Sequence, residues 1–211
     1  MTETPLRVDR RDDGVVTLTL DLPDRRNAMT GELTAAWGET IASLRGDRSV
    51  RCVVVTGAGS AFCAGGDLSW IAESPDLTVD AIRDRMLPFY RTWLSIRDLE
   101  APSIAAVNGH AVGAGLCLAL ACDLRYAARG ARLSAPFTQL GMHAGMAATW
   151  LLPEAVGIAA ARELQLTGRP VRTTRRCDWG SSTACRTRPP CSTTRWRSPG
   201  GSPPPGRSRP A

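Results

Sequence analysis

Two glycine turns carry the strongest chemical signal in this 211-residue chain. The first lies in FCAGGDL, residues 62–68, and the second, Gly113-Ala114-Gly115, begins an almost wholly apolar segment. The first N–H groups of a helix lack intrahelical partners and the helix dipole adds to them, so they favour negative charge. Two such turns can converge on one oxygen, which is how proteins hold an enolate or a tetrahedral oxyanion.

The segments around these turns predict an α/β domain. An unbroken apolar run predicts a buried strand at 52–56, and strands at 103–107 and 123–127 flank a helix at 114–121. This helix is apolar on all sides, which places it at the centre of the fold. The other predicted elements are a hairpin of strands 6–10 and 15–20 and helices at 30–44, 78–96 and 157–167. Pro88 should kink or divide the helix at 78–96.

Four segments resemble the enoyl-CoA hydratase/isomerase (crotonase) superfamily. They are PDRRNAM at 23–29, VVVTGAGSAFCAGGDL at 53–68, IAAVNGHAVGAGLCLALACDLRYAA at 104–128 and LSAPFTQLGMHAGM at 133–146. All four stand in family order and near family spacing, and together they cover roughly residues 6–170. The resemblance implies the crotonase-like fold, a spiral of repeated β-β-α units, and an enzyme of fatty acid metabolism, either a lyase or an isomerase.

The resemblance also implies a site for an acyl-CoA thioester. The backbone N–H groups of Gly66 and Ala114 would form its oxyanion hole, and coenzyme A would arrive as part of the substrate, with no separate cofactor and no metal. Arg25 or Arg26 would meet a phosphate, although a solvated charge pair is an equal alternative, and Asp67 is interpreted as a turn and capping residue. The full set of expected substrate contacts is Arg25, Arg26, Ala28, Ala64, Gly66, Asp67, Leu68, Gly113, Ala114, Pro136 and Phe137.

The chain departs from the family where the hydratases carry two catalytic glutamates. These positions align with Cys117 and Phe137. Cys117 lies in an apolar helix, where burial should raise its pKa and make the thiolate scarce, so we interpret it as a packing residue. Phe137 is expected to line the acyl pocket. His143 is a candidate for proton transfer because imidazole titrates near neutral pH, but a structural or solvent-facing role is also open.

Three functional hypotheses follow from this departure. The first is an acyl-CoA enzyme of the hydratase/isomerase type with atypical acid–base groups. The second is a catalytically inactive acyl-CoA-binding protein, and the third is a truncated product with neither property. A nucleotide-binding dehydrogenase is a poor alternative, because Phe62 stands where the Rossmann signature needs its third glycine.

Composition and charge limit the kinds of molecule that the protein is expected to bind. The net charge is +6, but residues 172–211 hold nine Arg and one Asp, a net +8, which leaves −2 for residues 1–171. The part expected to fold is therefore mildly acidic, and we expect no nucleic-acid partner. No apolar run is long enough to cross a bilayer, and seven scattered cysteines suit a reducing compartment, so a cytoplasmic protein is expected. The resemblance implies a homotrimer or hexamer.

The sequence changes character at about residue 172. Apolar periodicity gives way to Arg, Pro, Ser and Gly, a composition that favours a disordered tail over 172–211 behind an acyl-CoA-binding domain at 1–171. Reading each codon from its third base permits GLVN at 179–182 and an amphipathic helix at 190–199, both typical of the family at this point. We therefore expect a frameshifted or truncated C-terminus in place of the family's last helices. A natural tail remains the alternative.

Overall fold

The computed structural model describes residues 4–67 and 78–173, and its larger sheet has five strands. These are β1 (Leu6–Arg10), β2 (Val15–Leu20), β3 (Cys52–Gly57), β5 (Ser103–Val107) and β7 (Leu124–Ala127). Their order across the sheet is β1-β2-β3-β5-β7. The first pair is an antiparallel hairpin, and the other neighbours run parallel. The inward-facing residues of β2 and β3 are fully buried valines and leucines.

The smaller sheet is built from short strands that alternate along the chain with those of the larger sheet. They are β4 (Ala61–Cys63), β6 (His110–Val112), β8 (Arg132–Ser134) and β9 (Val171–Arg172), in the order β4-β6-β8-β9. The first three run parallel, and β9 is antiparallel to β8. Because each repeat adds one strand to each sheet, the chain winds as a spiral of β-β-α units. The predicted fold class is confirmed.

Five helices complete the described fold. They are α1 (Gly31–Leu44), α2 (Val79–Leu94), α3 (Ala114–Ala121), α4 (Ala148–Val156) and α5 (Ile158–Thr167). All eight residues of α3 are buried, as its uniform apolar sequence predicts. Helix α1 packs on α2 through stacked indoles, with the ring centroids of Trp37 and Trp93 4.9 Å apart. No helix in residues 4–67 and 78–173 is long and apolar enough to span a membrane.

Polar contacts fix the C-terminal end of α3. The Asp123 carboxylate accepts hydrogen bonds from the backbone N–H and the hydroxyl of Ser103, both at 2.7 Å, and so ties the end of α3 to β5. The Arg125 guanidinium donates to the Cys122 carbonyl at 2.7 Å and reaches two carbonyls of α3 itself. A cation at these carbonyls complements the negative end of the helix dipole.

The structure refines several of the predicted elements. Pro88 does not divide α2, which runs unbroken from Val79 to Leu94 and continues as a 3₁₀ turn over Ser95–Asp98. Helix α4 and the three-residue strands of the smaller sheet are not among the predicted elements. Arg172 and Thr173, at the start of the predicted tail, belong to the fold, and the Thr173 N–H donates to Ala131. The rest of that tail lies outside the described residues.

Candidate functional site

The two predicted turns lie against each other. Gly65 and Gly113, which precede the two predicted hole residues, both have positive φ, +99° and +54°. A β-carbon added to Gly65 would lie 2.7 Å from the Val112 carbonyl oxygen and 3.4 Å from the Ala114 nitrogen. Standard backbone dimensions then put the amide nitrogens of Gly66 and Ala114 within about 7 Å of each other. Glycine is therefore needed at position 65 for two reasons: the turn has a positive φ there, and the second turn approaches too closely to leave room for a side chain.

The first turn is held by the segment that precedes α1. The Met29 N–H donates to the Gly65 carbonyl at 2.8 Å, and the Ala64 N–H donates to the Arg26 carbonyl at 2.9 Å. Met29 and Gly66 also form an isolated parallel bridge. Through these contacts the segment PDRRNAM fixes the backbone of the segment CAGGDL.

Asn27 anchors the same region from inside the protein. It is fully buried with φ +56°, in the left-handed region that asparagine tolerates better than most residues. Its amide donates to the carbonyls of Ala58 at 2.9 Å and Ala61 at 2.8 Å, with a longer contact to Phe62, while its oxygen accepts from Leu22. One side chain thus joins the loop before α1 to the β3–β4 connection. This role of Asn27 was not predicted from the sequence.

The second turn is held by the smaller sheet. The Gly113 N–H donates to the Ser134 carbonyl of β8 at 2.9 Å. A β-carbon on Gly115 would overlap the Cys63 carbonyl, so a residue without a side chain is needed where α3 crosses β4. Within the described chain, the N–H groups of Gly66 and Ala114 donate no hydrogen bond.

Both turns open onto a cavity of about 170 Å³. Among the residues expected from the sequence, Ala64, Gly66, Asp67, Gly113, Ala114, Pro136, Phe137 and His143 line it. Arg25, Arg26 and Ala28 do not line it, and Leu68 lies outside the described residues. The other wall residues, which the sequence analysis did not single out, include Met86, Phe89, Tyr90, Leu140, Met142 and Met146. The wall is therefore mainly thioether, aliphatic and aromatic.

Arg25 and Asp67 form an ion pair beside the first turn. The Arg25 Nη2 atom lies 2.7 Å from Asp67 Oδ2, with the Arg25 side chain about half exposed and that of Asp67 largely covered. Asp67 therefore faces a cation as well as the cavity, in keeping with a structural role. A phosphate contact by Arg25 or Arg26 stays a prediction.

The two positions that align with the family's glutamates carry no ionisable carboxyl. Cys117 is buried in α3, does not line the cavity, and places its sulfur 3.9 Å from the Gly145 carbonyl oxygen. Burial raises the pKa of its thiol to about 12, with a smaller contribution from the nearby Cys63. The thiol is therefore protonated at neutral pH. Phe137 lines the cavity and lies beside Gly113.

Three ionisable side chains line the described cavity: Asp67, Tyr90 and His143. His143 is exposed and follows the 3₁₀ turn Thr138–Leu140, so its role in proton transfer stays a prediction. Tyr90 is half-buried on α2, and burial, helped by the Cys117 thiol, raises the pKa of its hydroxyl. In residues 4–67 and 78–173, no cluster of three metal-ligating side chains occurs.

Comparison with known proteins relates the chain to a single family. The family model described as enoyl-CoA hydratase/isomerase matches residues 10–184. The probable enoyl-CoA hydratase EchA14 of Mycobacterium tuberculosis is 46% identical over 157 residues, which cover 74% of this chain and 60% of that protein. The 1,2-epoxyphenylacetyl-CoA isomerase of Escherichia coli is 38% identical over 173 residues, 79% of this chain and 64% of that protein.

Solved structures give the same relationship. An enoyl-CoA hydratase from Mycobacterium smegmatis superposes with a TM-score of 0.74 at 37% identity, covering 81% of this chain and 65% of that one. A putative enoyl-CoA hydratase from Streptomyces coelicolor gives a TM-score of 0.71 at 38% identity, covering 82% and 64%. The chain thus spans 60–65% of the length of these relatives.

Proposed function

Because this chain belongs to the enoyl-CoA hydratase/isomerase family, we propose that it binds an acyl-CoA thioester and acts on it by stabilising an enolate. The amides of Gly66 and Ala114 would hold the thioester oxygen. The observation that carries the proposal is that both turns line the same cavity, each with an N–H that donates to no group in residues 4–67 and 78–173. Preset donors at a developing oxyanion are among the largest contributions to catalysis, about 10²–10³ in rate for one donor.

The surroundings of the two amides support this role. Ala114 is the first residue of α3, so its N–H lies at the positive end of the helix dipole, and the helix is buried throughout. Low polarity strengthens an electrostatic contact with the oxyanion. The donors belong to the backbone, and each follows a glycine fixed by its neighbours, so little reorganisation is needed when charge develops.

The acyl group would extend into the apolar cavity beside Phe137 and the methionines. The coenzyme A portion would pass the first turn, where Ala28, Ala64, Asp67 and Leu68 are the expected contacts and Arg25 or Arg26 the expected phosphate partner. His143 is the candidate for moving a proton.

A second candidate function is acyl-CoA binding without turnover. It is favoured by the state of Cys117, which is protonated, buried and away from the cavity, and by the phenyl ring at Phe137. Neither side chain can activate water or deliver a proton as a carboxyl group does. Binding needs only the two amides and the cavity.

Two measurements on the full chain separate these functions. Isothermal titration with butyryl-CoA, a saturated thioester that cannot be hydrated, measures binding, with free coenzyme A as the control. Loss of crotonyl-CoA absorbance measures turnover. Binding with turnover supports the enzyme, and binding without turnover supports the second candidate. No preference for butyryl-CoA over coenzyme A would contradict both.

A further inference from the structure

Tyr90 contributes a hydroxyl group to the described cavity wall. This hydroxyl has no hydrogen-bond partner in residues 4–67 and 78–173. Of the other two polar side chains in the wall, Asp67 is paired with Arg25 at 2.7 Å, and His143 is exposed to solvent. The Tyr90 side chain is half-buried, and its hydroxyl oxygen still reaches solvent, so water is its partner when the cavity is empty. A ligand that displaces this water is favoured if it supplies an acceptor in its place.

The position of the Tyr90 ring is fixed by its neighbours. Phe89 meets it edge to face, with ring centroids 5.7 Å apart and an interplanar angle of 61°. On another side a β-carbon on Gly145 would overlap the hydroxyl and lie 2.8 Å from the ring carbon that bears it. Gly145 does not have a positive φ, so its backbone conformation does not require glycine there. Glycine at 145 instead leaves room for the phenol.

The phenol packs against Gly145, a residue that lies beside the middle of α3 and not beside its first residue. The Cys117 sulfur approaches the Gly145 carbonyl, which places this part of α3 beside the residue that the phenol packs against. Cys117 is three residues after Ala114, about 4.5 Å along the helix axis. That is the span of a few carbon–carbon bonds. A group near Tyr90 would therefore belong to the acyl chain and not to the thioester carbonyl itself.

We propose that the Tyr90 hydroxyl donates a hydrogen bond to an oxygen on the acyl chain, so that the cavity prefers thioesters whose acyl group carries a hydroxyl or carbonyl oxygen. This inference rests on the proposed function, because it needs the thioester oxygen to occupy the two amides. The hydroxyl acts as donor, since its pKa is raised and it stays protonated at neutral pH. No bond to carbon forms or breaks in this role. Tyr90 sets specificity.

The test compares two thioesters that differ by one oxygen. Isothermal titration with 3-hydroxybutyryl-CoA and butyryl-CoA is performed on the unmodified chain, on Tyr90→Phe, and on Tyr126→Phe. Tyr126 is the only other tyrosine, lies on β7 and does not line the cavity, so its variant is the matched control. The unmodified chain and the control should bind the hydroxylated thioester about fivefold to tenfold more tightly, the value of one net hydrogen bond.

In Tyr90→Phe this preference should disappear while the affinity for butyryl-CoA changes less than about twofold, which also shows that the variant is folded. A preference that is absent from the unmodified chain, or that survives in Tyr90→Phe, would overturn the inference and leave the proposed function intact. Equal loss of both thioesters in Tyr90→Phe would also overturn it. If the unmodified chain binds neither thioester, the proposed function fails and the inference fails with it.

Discussion

The phenol of Tyr90 occupies the space that a side chain at Gly145 would need. The two residues are 55 positions apart, one on α2 and the other in the loop before α4; Tyr90 lines the cavity, and Gly145 packs against its hydroxyl without lining the cavity itself. Because the contact is between an aromatic ring and a backbone that must stay bare, the two positions should be energetically coupled.

Gly145→Ala should lower the free energy of unfolding by about 1–3 kcal/mol, because the new methyl group overlaps the phenol and a packed region cannot easily expand. In a Tyr90→Leu background, where the ring is absent, the same substitution should cost less. Urea unfolding of the four variants gives the coupling energy directly. An identical cost of Gly145→Ala in both backgrounds would show that the overlap is relieved elsewhere.

Ala114→Pro should reduce crotonyl-CoA turnover by about 10²–10³, if the chain is an enzyme, because it removes one predicted oxyanion donor. Proline suits the first position of a helix, where the N–H has no intrahelical partner, so α3 should form normally. Ile158→Pro is the matched control, since Ile158 is the first residue of α5 and is exposed. Steady-state kinetics and circular dichroism on both variants check this. Equal activity of the two would remove Ala114 from the mechanism.

Asn27→Ala should destabilise the protein by about 3–5 kcal/mol, because it leaves several buried backbone groups without partners and places alanine in the left-handed region. Asn108→Ala is the control. Asn108 also donates to the Gly59 and Ala61 carbonyls, but it is exposed, so water can replace it. Chemical denaturation of both variants measures the difference. A smaller cost at Asn27 than at Asn108 would contradict the anchoring role.

Stability should fall as the pH rises above about 9. The folded-state pKa of Cys117 is raised from 9.0 to about 12 by burial, so the folded protein keeps a proton that the unfolded chain releases. This contribution is complete below pH 9 and is lost between about 9 and 12. Between pH 8 and 10 Cys117→Ala should lose about 1 kcal/mol less than the unmodified chain.

Cys52→Ala serves as the control for that experiment. Cys52 is partly exposed, and although burial and Asp123 raise its pKa, its removal should change the pH dependence less. Urea unfolding at a series of pH values gives the slopes. Parallel slopes for Cys117→Ala and the unmodified chain would mean that the Cys117 thiol ionises in the folded protein as easily as in the unfolded one.

Sequence patterns predicted the centre of the fold because its signals are local. The apolar run that forms α3, the glycines before it and the strands around it can each be recognised within a dozen residues. The strands of the smaller sheet have three residues or fewer, which is too short for a pattern. The helix α4 contains Pro153, a residue that argues against a helix when the sequence alone is available.

The missed residues owe their roles to long-range contacts. In the sequence Asn27 is a single polar residue in a loop. The backbone carbonyls that accept its hydrogen bonds lie 31–35 positions later. The pattern of α2 predicts a helix, but only its packing against the loop before α4 decides that Tyr90 faces the cavity. Arg25, Arg26 and Ala28 lie far from the first turn in the sequence but near it in space, where the Ala64 N–H donates to the Arg26 carbonyl; they do not line the cavity, and their contacts with coenzyme A stay a prediction.

The composition of the cavity wall also determines which acyl groups are excluded from the cavity. An acyl group that ends in a carboxylate would have to give up its hydration to methionine sulfurs and aromatic rings, at a cost of several kcal/mol. The described wall contains no arginine, and neither the single hydroxyl of Tyr90 nor the solvent-exposed His143 replaces the hydration of a full negative charge. Dicarboxylic thioesters should therefore be excluded by solvation alone, before any question of reactivity arises.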